Sequence, residues 1–124
     1  MSDQERGASA REVVRVLAAL ADENRFRIVE LLAGPDPELS CGAIGAALGL
    51  SPSLISHHLS ILEGAGIIDR RKDGLWTLNR LRREVLSQQL GMLERLLEPV
   101  LRRAPSAAAA RAEEAAAASR TPAL

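Results

Sequence analysis

Residues 48 to 79, LGLSPSLISHHLSILEGAGIIDRRKDGLWTLN, constrain this chain more than any other stretch. Ser51-Pro52 is a helix start. The serine hydroxyl can accept a backbone N–H, and the proline that follows lacks only an N–H the first turn does not need. From Pro52 to about Gly64, Ile55, Leu59 and Leu62 recur at spacings of four and three, which puts them on one face of a helix. Gly66 turns the chain, and Ile67 and Ile68 begin a strand. Lys72-Asp73-Gly74 reads as a hairpin turn, with Leu75 to Leu78 returning as the second strand and Trp76 packing within it. A helix followed directly by a basic hairpin is the result.

The flanking segments supply helices. Residues 1 to 10 are small, polar and charged and are expected to form a flexible N-terminus. Arg11 to Ala21 carries Val13, Val14, Leu17 and Leu20 at helical spacing. Asp22 caps a second helix with Phe26, Ile28, Val29, Leu31 and Leu32, which Gly34 and Pro35 end. Ser40 caps a third helix, Cys41 to Leu48, and Gly49 stops it. Arg80 to about Arg103 is expected to be one long apolar-striped helix that Pro99 kinks or ends. The predicted fold is mainly α with a β-hairpin wing, ordered α-α-α-α-β-β-α: a winged helix-turn-helix over residues 11–103. Residues 104–124 are alanine-rich, with nothing to pack against, and are expected to be a mobile tail.

Net charge is zero, but it is unevenly distributed. Between Ser51 and Arg83 six basic residues face three acids, a net +3 that leaves −3 elsewhere. A one-sided nucleic-acid binder has that polarity. A single cysteine, Cys41, cannot close an intramolecular disulfide and suits a reducing compartment. No run approaches the roughly 20 apolar residues of a membrane span, and no signal-peptide pattern opens the chain. The expectation is a cytoplasmic protein with no membrane partner.

The polar face of the helix after Ser51 presents Ser53, Ser56, His57 and Ser60, with no acid until Glu63. A merely solvated face usually carries Glu and Lys. Small hydroxyls let a helix sit deep in a major groove and bond phosphates or base edges, and His57 can donate to a guanine edge. His58 borders the apolar stripe, so a packed histidine with one hydrogen bond and a DNA contact are both open. Arg70, Arg71 and Lys72 on the wing suit phosphates or a minor groove. The candidate contact set to double-stranded DNA is Ser40, Ser51, Ser53, Leu54, Ser56, His57, His58, Ser60, Arg70, Arg71 and Lys72.

These residues resemble the ArsR/SmtB family of winged-helix repressors. The matching segments are LAALADENRFRIVELL (17–32), ELSCGAIGAALGLSPSLISHHLSILEGAGII (38–68) and DRRKDGLWTLN (69–79). The Ala-Asp-x-x-Arg start of the second helix and Ser-His-His-Leu are the distinctive parts. The resemblance implies a homodimer through helices 11–21 and 80–103, with recognition helices in successive major grooves of an inverted repeat. Two-fold symmetry then spaces half-sites by roughly 10 base pairs or a multiple.

Many members of that family sense metals or metalloids. Where one family site has a Cys-x-Cys pair, this chain has Ser40 and Gly42, with Cys41 between. Another site draws Asp, His and Glu from the last helix, but from Arg80 onward there is no His, Asp or Cys. The family's persulfide sensors use two cysteines. The expectation is therefore no metal site, no cofactor and, if there is an effector, an unidentified small molecule. Cys41 sits in the first turn of its helix, where N–H groups favour thiolate. It is either a small semi-buried packing residue or a redox switch. The leading expectation is a dimeric DNA-binding repressor. The alternatives are a thiol-responsive repressor acting through Cys41 and a winged-helix protein-interaction module. No carboxylate pair, base-activated nucleophile or phosphate-cradling glycine loop points to an enzyme.

Overall fold

In the computed structural model of the chain, residues 1–103 and 107–119 are described, the side chains of 107–109 excepted. The elements run α1 (Asp3–Leu20), α2 (Glu23–Leu32), β1 (Leu39–Ser40), α3 (Cys41–Leu48), α4 (Pro52–Gly64), β2 (Ile68–Asp73), β3 (Trp76–Leu81), α5 (Arg83–Leu96), α6 (Glu98–Arg102) and α7 (Ala107–Ser119). Residues Met1–Leu93 form one compact unit and Glu94–Leu124 a second.

Side-chain caps set the helix starts. Asp22, Ser40 and Ser51 each accept the backbone N–H three residues on, from Arg25, Ala43 and Leu54. Gly49 ends α3 in the left-handed conformation, φ 69°, which places the short turn between α3 and α4. The N-terminus departs from expectation. Helix α1 begins at Asp3 rather than Arg11, because Ser2 and Glu5 form a reciprocal capping box. The segment expected to be flexible is thus helical.

The sheet has three antiparallel strands in the order β1-β3-β2. Strand β1 is an addition to the expected hairpin: Leu39 and Ser40 pair with Asn79 and Leu78. Arg80 and Leu81, expected to open the last helix, instead belong to β3, where Leu81 pairs with Ile68. The wing turn is also shifted. Asp73 pairs with Trp76, so Gly74 and Leu75 form the loop, not Asp73-Gly74. Gly74 takes φ 62° while Leu75 stays at negative φ, the pattern of a hairpin turn with glycine first.

The core of the first unit joins α1, α2, α3, α4 and the sheet through Val16, Ile28, Leu32, Ile44, Ile55, Leu59, Leu62, Ile67, Ile68 and Leu81. The apolar stripe read from α4 is therefore its inward face. Three arginines satisfy carbonyls at helix C-terminal ends, the groups a helix cannot pair itself. Arg25 Nε donates to Ala19 O of α1 at 2.6 Å, Arg83 to Ala33 O and Gly34 O after α2, and Arg15 to Gly64 O of α4 at 3.0 Å. The bond from Arg15 ties α4 to the N-terminal helix.

The expected helix over 80–103 is two pieces. Helix α5 ends at Leu96, and Leu97 leaves helical geometry before α6, which carries Pro99 in its first turn. The missing proline N–H is what interrupts the ladder. No residue of α5 is buried, and Leu90 is exposed. In the segment expected to be a mobile tail, 107–119 are helical as α7, and the other tail positions from 104 onward lie outside the described residues.

Candidate nucleic-acid interface

Helix α4 sorts its residues cleanly. Ile55, His58, Leu59 and Leu62 are buried, while Ser53, Leu54, Ser56, His57 and Ser60 are exposed. From Ser53 to Ser60 the exposed group carries hydroxyls, one imidazole and Leu54 with no acid; the exposed Glu63 follows one turn later, near the end of the helix. Ser51 Oγ accepts from Leu54 N at 3.3 Å and keeps its own O–H free to donate at the helix N-terminus, where anions are favoured. Ser40 does the same for α3 but is half-buried.

His58 does not share that face. It is 5% exposed, and its Nδ1 lies 3.3 Å from Arg25 Nη1. Guanidinium only donates, so Nδ1 is the acceptor. Asp22 completes the group: its carboxylate accepts the Arg25 backbone N–H and lies 3.9 Å from the guanidinium. The Arg25 backbone hydrogen bond, aided by the guanidinium charge, holds the Asp22 carboxyl below its ordinary value. His58 therefore leaves the candidate contact set. It locks α4 to the start of α2.

The wing cations are mostly committed within the fold. Arg70 Nε donates to Asn79 Oδ1 at 3.0 Å and its Nη2 reaches Cys41 Sγ at 3.6 Å, so Arg70 also turns away from the surface role expected of it. Arg71 pairs with Glu38 at 2.9 Å, and Arg80 with Asp69 at 2.9 Å. The Asp69 hydrogen bond and charge raise the Arg80 pKa above its ordinary value. Arg82 lies between Asp69 and Glu84. Lys72 alone of the wing cations has no ion-pair or hydrogen-bond partner among the described residues and is exposed. Arg71 is exposed, and a surface pair of its kind is weak enough to be exchanged for a phosphate.

The family model described as "Bacterial regulatory protein, arsR family" matches residues 22–70, the span from the cap of α2 into the wing. The uncharacterized HTH-type transcriptional regulator YceK of Bacillus subtilis is 34% identical over 83 residues, covering 66% of this chain and 83% of its own. The chain belongs to the ArsR family. The putative arsenical resistance operon repressor ArsR of Halobacterium salinarum is 46% identical over 63 residues, 51% of this chain and 49% of that protein, so the match spans about half the relative's length. Among solved structures, the homodimeric winged helix-turn-helix DNA-binding domain Mb0332 from Mycobacterium bovis is 27% identical. It superposes with a TM-score of 0.61, covering 86% of this chain and 92% of that one. The family and these relatives are transcriptional regulators, not enzymes.

Some ArsR-family names imply metal chemistry, and in this chain the groups that could serve it are engaged within the fold. Cys41 Sγ already accepts from Asn79 Nδ2 at 3.4 Å and faces the Arg70 guanidinium, which competes with a cation for the sulfur. His58 Nδ1 is taken by Arg25. Among the described residues no three His, Cys, Asp or Glu side chains are grouped to hold a metal ion.

Three positions in this ArsR-family fold escaped the sequence reading. Asn79 is fully buried and bonds Leu39 O, Cys41 and Arg70, joining wing, β1 and α3. Only its place among the apolar positions of β3 could have flagged it. Glu38 neutralises Arg71 from a loop 33 residues away, with no local signal. Trp76, expected to pack, is 65% exposed because it sits beside the turn, beyond the part of the hairpin that covers the core.

Proposed function

We propose that this ArsR-family regulator is a homodimeric, sequence-specific DNA-binding repressor. The exposed Ser53–Ser60 part of α4, which carries no acid, would enter the major groove, and the wing would lie along the backbone. The carrying observation is that face: Ser53, Ser56, His57 and Ser60 all point outward from a helix whose other side is buried in the core. Serine hydroxyls and His57 suit base edges and phosphates, and Leu54 offers apolar contact to a thymine methyl. Lys72 and Arg71 supply the sequence-independent attraction. Dimerisation through α1 and α5 is supported by α5, which buries no residue, and by exposed Val14 and Leu90. The Mb0332 domain is homodimeric, which supports dimerisation as such. Repression would follow from occupying promoter DNA in competition with polymerase, in the cytoplasm.

The test is a mobility-shift assay of the full chain on a duplex that the chain itself enriches from random sequence, against a scrambled duplex. The expected result is a shift on the enriched duplex, with affinity falling steeply as salt rises. Equal affinity for both duplexes, or none at low salt, refutes the reading.

A thiol-responsive form of the same repressor is a second reading, favoured by the bonds that link Cys41 Sγ to Asn79 and to Arg70 of the wing. Peroxide would convert the thiol to a sulfenic acid with release of water. The added oxygen would disturb the contacts that set the wing base. If Cys41→Ser releases DNA under peroxide as the wild type does, this reading fails.

A further inference from the structure

We propose that the apolar tip of the wing, Leu75 and Trp76, is a DNA contact that seats in a minor groove beside the half-site. The inference rests on the DNA-binding reading above. It extends the interface beyond the cations, to residues whose chemistry is apolar.

Leu75 is 102% exposed and Trp76 stands largely free beside it. An isolated exposed leucine needs no explanation, but the chain's one tryptophan set next to it on a projecting turn is a costly surface unless something covers it. The core of its own unit does not include it. The hairpin base at Ile68 and Leu81 lies in the core, and the tip is five residues further along β2, roughly 17 Å away. Helix α5 begins at the base end, after Leu81.

Charge selects the occupant. Residues 68–83 carry six basic side chains and two acids, a net +4 in a chain of net zero. The acid nearest the tip is Asp73, cross-strand from Trp76. It keeps the indole from lying flat on a phosphate and favours the sugar edges and groove floor instead. By strand alternation Lys72 and Trp76 lie on opposite faces of the hairpin. A tip entering a groove would thus offer an ammonium to one sugar–phosphate wall and an indole to the other. Apolar side chains on such tips are used as minor-groove wedges, and indole adds an N–H that suits the acceptors of the groove floor.

The chain holds one Trp and no Tyr, so its intrinsic emission reports this residue alone. The experiment titrates the full chain with an enriched duplex and follows mobility shift, tryptophan emission and acrylamide quenching together. The expected result is an emission change with the same midpoint as the shift, with quenching reduced several-fold. Trp76→Ala and Leu75→Glu should each bind about tenfold more weakly while melting like the wild type. A mobility shift with unchanged emission and quenching overturns the proposal and leaves the DNA-binding reading standing. No shift on any duplex removes the reading beneath it. Emission already blue-shifted and shielded in the free protein would show the tip covered by protein, and also overturns it.

Discussion

Asn79→Ala tests how the wing is fixed to the helix-turn-helix. The wild-type side chain is fully buried. Its Nδ2 donates to Leu39 O at 3.1 Å and to Cys41 Sγ at 3.4 Å, and its Oδ1 accepts from Arg70 Nε at 3.0 Å. A neutral amide bond of this kind contributes about 1 kcal/mol net. The bond from Arg70 is charge-assisted, but the half-buried guanidinium can recover water, so about 1 kcal/mol is the right scale there too. The weaker sulfur contact and the small cavity left by the amide bring the expected loss to roughly 2–3 kcal/mol. In a unit of this size that lowers the melting temperature by roughly 10–20 °C. Thermal unfolding followed by far-ultraviolet circular dichroism measures it. Arg70→Ala in parallel should be non-additive with Asn79→Ala by about 1 kcal/mol. A drop below about 4 °C, or full additivity, would mean that this network does not hold the wing.

The two histidines should separate cleanly. His57→Ala should cost roughly 1–3 kcal/mol in affinity for specific DNA with melting unchanged, whereas His58→Ala should lower melting first. Lys72→Ala should weaken binding to all duplexes alike and reduce the salt slope by about 1, and Arg71→Ala should do less because Glu38 already occupies Arg71. Because the folded pKa of Asp22 lies below its ordinary 3.8, its charge adds stability that is in place above roughly pH 5 and is lost as pH falls through the folded value. Asp22→Asn should thus be less stable than wild type at neutral pH, with the gap closing on acidification. A gap that stays constant down to about pH 2 would contradict the assignment.

Local chemistry made much of this fold legible. Ser40, Ser51-Pro52, Asp22 and Gly49 mark helix ends by mechanisms that act within one turn, and the structure uses each of them as read. Ser2 and Glu5 carried an equally local signal, the capping box, that outweighs the polar composition of residues 1 to 10. What sequence could not give was long-range pairing. Strand β1 is only Leu39 and Ser40 and exists because β3 is there to pair with it. The same limit applies to charge. Counting charges suggested a basic stretch over 51–83, but Arg70, Arg80 and Arg83 serve Asn79, Asp69 and the end of α2. Only the folded chain identifies Lys72 as the uncommitted one. The orientation of His58 was open in sequence because the helical stripe has a soft edge, and Arg25 decides it.

The DNA affinity of Ser56→Glu tests most directly whether α4 is the reading helix. Ser56 is exposed at the centre of the proposed reading face, where a carboxylate costs the fold nothing beyond the roughly 0.5 kcal/mol of ordinary surface changes. In a groove it would face base edges and phosphates with the wrong charge. The expected result is unchanged melting and an affinity for the enriched duplex at least about a hundredfold lower. Affinity within about twofold of wild type would contradict it, and would remove α4 from the interface.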